Sequence, residues 1–205
     1  MTKENLLDCF IGAGKEIISA KDELTAIDAK YGDGDHGITM EKIAGAFLAA
    51  MDTAKKTDVG VNAAMEAAAD AIMAINGGAA VPLWTTLFGG FAEAPGMDAA
   101  DIGPADLKTL FAGGLRAIRD VTKAEEGDKT LMDALIPAVR AMEAWTGDDA
   151  KGMLAAAAAA AKAGAEATKN YAAKYGRAKN YKEATLGTMD AGALSMARFF
   201  AGLCE

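Results

Sequence analysis

Residues 27–39 read IDAKYGDGDHGIT. The stretch places Asp28, Asp33, Asp35 and the chain's single histidine, His36, among closely spaced glycines. At ~4 Å and an effective dielectric near 20, each carboxylate pair would repel by about 4 kcal/mol, so the pattern asks for a cation between them. Three familiar glycine-rich motifs fail here. Gly32, Gly34 and Gly37 have G-x-G-x-x-G spacing, but no strand-like stretch precedes them and the carboxylates would repel a bare pyrophosphate. Ile38 stands where a P-loop needs lysine, and an EF-hand counted from Asp33 ends on Ala44 instead of a carboxylate. What remains is a set of hard oxygen ligands just ahead of a helix start. Magnesium uses such ligands together with substrate phosphates, and helix-start N–H groups would meet the same phosphates. The plainer alternative makes Asp35 a helix cap and leaves Asp28 and Asp33 as solvated loop residues.

Away from this loop the chain reads as all-α. Alanine, leucine and methionine dominate, β-branched residues are sparse, and apolar residues recur three and four apart. Helical segments are expected over about Thr2–Ala20, from Ile38 past Met51, over Val61–Ile75, from the AAVPLWTTLF stretch onward, and over Pro104–Thr122, Lys129–Trp145, Asp149–Lys174 and Ala191–Leu203. Asn76 and Gly77 are expected to end the third in a left-handed turn. Short connections make neighbouring helices antiparallel. The alanine tract at 155–161 reads as a closely packed helix face. With 205 residues, the expectation is one domain over 1–205.

Composition narrows the function classes. A net charge of −8 without a lysine or arginine block argues against nucleic-acid binding. No apolar run approaches the ~20 residues of a membrane span, and the first residues lack the pattern of a secretion signal, so a cytoplasmic protein is expected. Cys9 and Cys204 have neither disulfide-framework nor metal-site spacing.

Five stretches together resemble one family. LTAIDAKYGDGDHGITM (24–40), GGAAVPL (77–83), KAEEGDKTLMDALIPA (123–138), GRAKNY (176–181) and LGTMDAGA (186–193) are similar in order and spacing to the nucleotide-binding L subunit of dihydroxyacetone kinases, which also forms the C-terminal domain of the single-chain, ATP-dependent kinases. The resemblance implies an eight-helix antiparallel barrel or bundle with the nucleotide, ADP or ATP, at one end. It assigns Asp28, Asp33 and Asp35 to a pair of Mg2+ ions. His36, Gly37, Ile38 and Thr39 would line the nucleotide, Ala79 and Ala80 would form a second phosphate-contacting turn, and Thr122, Leu131, Arg177, Asp190, Ala191 and Gly192 would enclose the rest. Taken without the family, Arg177 reads as a surface arginine and Asp190 as a helix cap. Lys129 falls outside this set, because Gly127 breaks a helix there and Asp128 or Thr130 can cap the next.

The chain departs from the family pattern at Ala80 and Val81 (usually Ser-Gly), at Ala191 (usually Pro) and at Thr122 (usually Gly). The resemblance further implies a phosphotransferase subunit with no catalytic residue beyond the metal–nucleotide site. The ketose, dihydroxyacetone or a relative such as erythrulose, would be held on a separate substrate-binding subunit. The phosphate donor would be either ATP or a phosphotransfer-system phosphocarrier. Two other readings stand beside it: an ADP-sensing partner of a transcription regulator, and a helical scaffold that binds no nucleotide.

Overall fold

The computed structural model describes residues 1–97 and 101–204, and among these every regular element is helical. In chain order the helices are α1 (Lys3–Ser19), α2 (Lys21–Asp28), α3 (His36–Thr57), α4 (Val61–Met73), α5 (Ala80–Ala92), α6 (Pro104–Val121), α7 (Met132–Ala144), α8 (Ala150–Ala167) and α9 (Ala191–Gly202), with 3₁₀ turns at Thr168–Asn170 and Ala178–Thr185. Local sequence sets several of the starts. Thr2 Oγ1 accepts from Asn5 N at 3.2 Å before α1, Gly103 N donates to Asp106 Oδ2 at 2.8 Å around Pro104 at the start of α6, and Asp149 accepts from Lys151 N and Gly152 N to open α8. Each satisfies N–H groups that an uncapped helix leaves unpaired.

Contacts between elements close a ring. α1, α3, α4, α5, α6, α7, α8 and α9 each pack on the next, and α9 packs back on α1, while α2 lies against α3 and α9. The links α2–α3, α4–α5, α6–α7 and α8–α9 all reach one cavity. These are every second link in the ring, as an up-and-down barrel requires. The interior is filled by Phe10, Phe47, Trp84, Phe88, Phe91, Phe111, Phe199 and Phe200, all buried. Their rings meet edge-on or stacked, for example Phe47 on Phe88 at 4.9 Å and Phe91 on Phe111 at 5.1 Å, arrangements that add about 0.5–1.5 kcal/mol per pair to simple area burial. Ala157 and Ala161 of the alanine tract, and Ala165 one turn beyond it, are buried in α8, which packs on α7 and α9.

The structure departs from the expected segments at three places. After Ala20 the chain turns and forms a second helix, α2, instead of entering a loop. Arg198 of α9 ties the two parts together, binding Glu16 at 2.8 Å and Glu23 at 2.7 Å. The helix expected to reach Lys174 stops at Ala167, where the Thr168 carbonyl is drawn to Lys129 Nζ and its hydroxyl to Ala165 O and Asp190 N. α4 ends at Met73 without a left-handed cap, since neither Asn76 nor Gly77 has positive φ. Gly77 serves close approach instead: a Cβ there would sit 2.8 Å from Val81 Cγ2 and 3.0 Å from Thr39 Cγ2.

Candidate functional site

The cavity at the end of the barrel has a volume of about 600 Å³, within the usual range for small-molecule sites. The aspartate loop forms one wall. Asp28 ends α2, half-buried, and its Oδ2 accepts from His36 N at 3.3 Å. Gly32 is required beside it, because a Cβ would come within 2.1 Å of Asp28 Oδ1, and Gly34 turns the chain with φ of +72°. Asp33 and Asp35 then return toward Asp28, so that all three carboxylates offer oxygens within 4.8 Å of one another. Asp35 precedes α3 but makes no side-chain capping bond, which removes the plain reading of this residue as a helix cap. Arg177 reaches across the cavity mouth to Asp33 at 2.5 Å.

His36 connects this loop to α9. Its Nε2 lies 3.2 Å from Ser195 Oγ, whose hydroxyl also bonds the Gly192 carbonyl at 2.9 Å. Burial pushes the imidazole's pKa down against the opposing pull of Asp28 and Asp35, so the neutral ring is favoured at neutral pH. Thr39, one turn on, lines the cavity. Gly37 and Ile38 lie outside its lining. Gly37 faces α2, where a Cβ would fall 2.1 Å from Lys21 O, and Ile38 is 43% exposed. On the opposite side, Ala79 and Ala80 open α5 at the cavity wall, with the unpaired N–H groups of a helix start.

The α6–α7 link supplies Thr122 and Leu131, both on the cavity. It also supplies Lys129, buried and with φ of +61°. Asp133 holds the link's shape by accepting from Gly127 N at 2.6 Å and Thr130 N at 2.7 Å. Burial pushes its carboxyl pKa up, partly offset by those N–H donors. The last wall comes from the 168–190 segment, here termed the strap, through Tyr175, Arg177 and Asp190, followed by Ala191 and Gly192. Asp190 does cap α9, accepting from Ala193 N at 2.8 Å. Burial raises its pKa to about 7, against the lowering effect of the same N–H bond.

Thirteen of the fifteen residues singled out in the sequence therefore converge on this cavity. Lys129, Tyr31, Trp84 and Tyr175 join them without having been singled out. Tyr31 sits inside the aspartate loop, between Asp28 and Asp33, where its position alone pointed to the site. Lys129 gave no such signal, since a charged residue next to a glycine break reads as exposed.

The donor set suits a hard divalent cation: carboxylate oxygens only, converging at the mouth of a cavity flanked by helix starts. Comparison with known proteins agrees. The profile of the DAK2 domain matches residues 30–205. A D-erythrulose kinase of Mycolicibacterium smegmatis is 35% identical over 194 residues, covering 92% of this chain and 33% of that kinase. The ADP-binding subunit DhaL of PEP-dependent dihydroxyacetone kinase 1 of Listeria innocua is 30% identical over 197 residues, covering 94% of this chain and 90% of the subunit. The crystal structure of the C. freundii dihydroxyacetone kinase in complex with AMP-PNP and Mg2+ superposes with a TM-score of 0.75 at 25% identity, over 97% of this chain and 33% of that one. The chain thus spans about a third of the length of the D-erythrulose kinase and of the C. freundii kinase chain.

Proposed function

This chain belongs to the DAK2 domain family, and from that premise we propose that it is the nucleotide-holding subunit of a ketose kinase, with ADP or ATP in the cavity and magnesium on Asp28, Asp33 and Asp35. One observation carries the reading: three carboxylates converge within 4.8 Å at the mouth of a cavity large enough for a nucleotide. Magnesium bound there would neutralise charge on the phosphates and on the phosphoryl group in transit. Two ions are the complement that the family resemblance implies.

The chain's own residues bind and orient. His36, fixed on Ser195, and the backbone of the first turns of α3 and α5 would face the phosphates of a bound nucleotide. Arg177 would offer its guanidinium to the same charge, and Leu131 and Thr122 would wall off the far side. In this reading the ketose sits outside the cavity, on a separate substrate-binding unit that docks over the open end, as the designation of the DhaL relative as an ADP-binding subunit supports. The C. freundii kinase crystallised with AMP-PNP and Mg2+ and the ADP-binding DhaL subunit support the nucleotide. The erythrulose kinases support a short ketose as acceptor. The same reading makes residues 1–205 one L-type domain and puts it in the cytoplasm, where the nucleotide pool lies. No helix among the described residues is long and apolar enough to cross a membrane.

Native mass spectrometry of gently purified protein, before and after EDTA, tests the proposal. An added mass of ADP plus two magnesium ions, lost with EDTA and in Asp33→Ala, is the expected result. A folded chain that takes up neither ADP nor ATP in excess magnesium would overturn it.

A further inference from the structure

We infer that Lys129 is a positioning residue: its ammonium closes the base of the strap and thereby holds Arg177 at the cavity wall. This inference rests on the nucleotide reading above. Lys129 is 4% exposed. Its Nζ donates to the carbonyls of Thr168 at 2.7 Å and Thr185 at 2.9 Å, and to that of Thr188, so all three ammonium donors are used. Thr168 and Thr188 stand at the two ends of the strap, and one cation therefore pins both. The backbone at Lys129 is left-handed, with φ of +61°, a conformation uncommon for residues other than glycine. The side chain reaches these carbonyls from that turn.

Apolar packing does little to hold the strap. Between 169 and 188, Ala173 and Thr185 are the buried residues, and Thr185 is itself committed to hydrogen bonds. Two further ties lie near the same base, Lys174 N donating to Asp128 O at 3.2 Å and Gly187 N to Lys169 O at 2.7 Å, while Tyr31 of the aspartate loop meets the strap farther along, its ring 5.3 Å from that of Tyr181 and its hydroxyl donating to Ala184 O. Arg177 lies in the middle of this excursion, 68% exposed in its side chain, and its guanidinium meets Asp33 in a pair that is itself largely open to solvent. Such an exposed pair is worth little on its own, so the approach of Arg177 to the site depends also on where the strap's base is held. Replacing the ammonium by an apolar group takes a donor from each of three buried or half-buried carbonyls; Thr168 O keeps only Tyr171 N and Thr185 O only Thr188 N, and both ends of the strap loosen together.

The test measures MgADP binding to the full chain by titration calorimetry, with trypsin susceptibility at Lys174, Arg177, Lys179 and Lys182 as a readout that needs no nucleotide. Lys129→Met is expected to weaken MgADP by about tenfold or more, as loss of an outer-shell partner does at a metal site, and to speed cleavage within the strap. The affinity loss should be much smaller when Arg177→Ala is already present, because Lys129 acts through that residue. Lys129→Arg, which keeps charge and donors, should recover part of the binding and keeps the test available if the methionine variant fails to fold. Unchanged MgADP affinity in Lys129→Met, or an undiminished loss in the Arg177→Ala background, would overturn the inference. If the wild type itself takes up no MgADP, the nucleotide reading fails separately. The protease comparison then decides alone whether Lys129 fixes the strap, and equal cleavage rates would refute that.

Discussion

The aspartate loop and the strap face each other across one cavity, but they are held by different means. The loop is shaped locally: Asp28, Gly32, Asp33, Asp35 and His36 fall within nine residues, and the backbone N–H bonds that fold it, His36 N to Asp28 Oδ2 and Gly32 N to Asp28 O at 2.7 Å, stay inside that span. The strap hangs on residues far away in sequence, chiefly Lys129, with Tyr31 giving its hydroxyl to Ala184 O and Asp33 meeting Arg177. A wall built from near neighbours can be damaged one side chain at a time, whereas a wall hung from distant points moves as a unit when an anchor is lost.

The largest effect that would sharpen this contrast is expected at the loop. Asp33→Ala removes a proposed ligand and should weaken MgADP by at least about 100-fold, since even outer-shell partners of metal ligands are worth 10–100-fold. Calorimetry at fixed magnesium would check this, and retained affinity would mean that the carboxylates are not the metal site. Next comes Gly37→Ala, which tests how tightly the loop's exit is packed on α2. With a Cβ only 2.1 Å from Lys21 O and 2.2 Å from Thr25 Oγ1, overpacking should cost about 1–3 kcal/mol, lowering Tm by roughly 2–12 °C for a chain of this size. An unchanged melting curve would show that α2 yields freely.

The strap side offers a pH signature. Asp190, facing Asp133 and Lys129, has its pKa raised to about 7 from an ordinary 3.8. The folded state thus keeps a proton that the unfolded chain releases above about pH 4. This contribution to stability is complete at low pH, declines as pH rises from about 4 to 7, and is flat above that. Asp190→Asn keeps an oxygen to cap α9 but cannot titrate, so its stability relative to wild type should rise across that window in denaturation curves. A constant difference would place the proton elsewhere. The smallest effect is expected for Arg177→Ala on stability. The Arg177–Asp33 pair is 68% and 35% exposed, and such pairs contribute about 0–1 kcal/mol, so Tm should hardly move even where MgADP affinity falls. A large drop in Tm would mean that the strap is anchored at its tip as well as its base.

Both walls left traces in the sequence, but unequally. The crowding of the loop's carboxylates could be read from residue types and spacing, and in the structure the three do converge, with Asp35 making no capping bond. Gly37 and Ile38 show the limit of extending a motif residue by residue: one is spent on the α2 contact and the other turns outward, because a helix start presents only some of its side chains to any one side. Arg177 and Asp190 were traceable through the family resemblance alone, since each has an ordinary reading as a surface arginine or a helix cap, and Asp190 is indeed a cap as well as a wall residue. Lys129 was missed. Its value lies in carbonyls contributed from 39 to 59 positions away, and no local pattern records such partners.

By itself, the sequence determined the helical class, most helix positions and the carboxylate cluster, because helix propensity, apolar period and charge crowding act over a few residues and are written there. Only the tertiary structure decided that the chain bends at Ala20 into α2, that α8 stops at Ala167, and that a buried lysine gathers the strap. Those outcomes depend on which distant carbonyl, guanidinium or carboxylate arrives beside a given residue. The closed ring of helices fixes that arrival only when all of its members have packed.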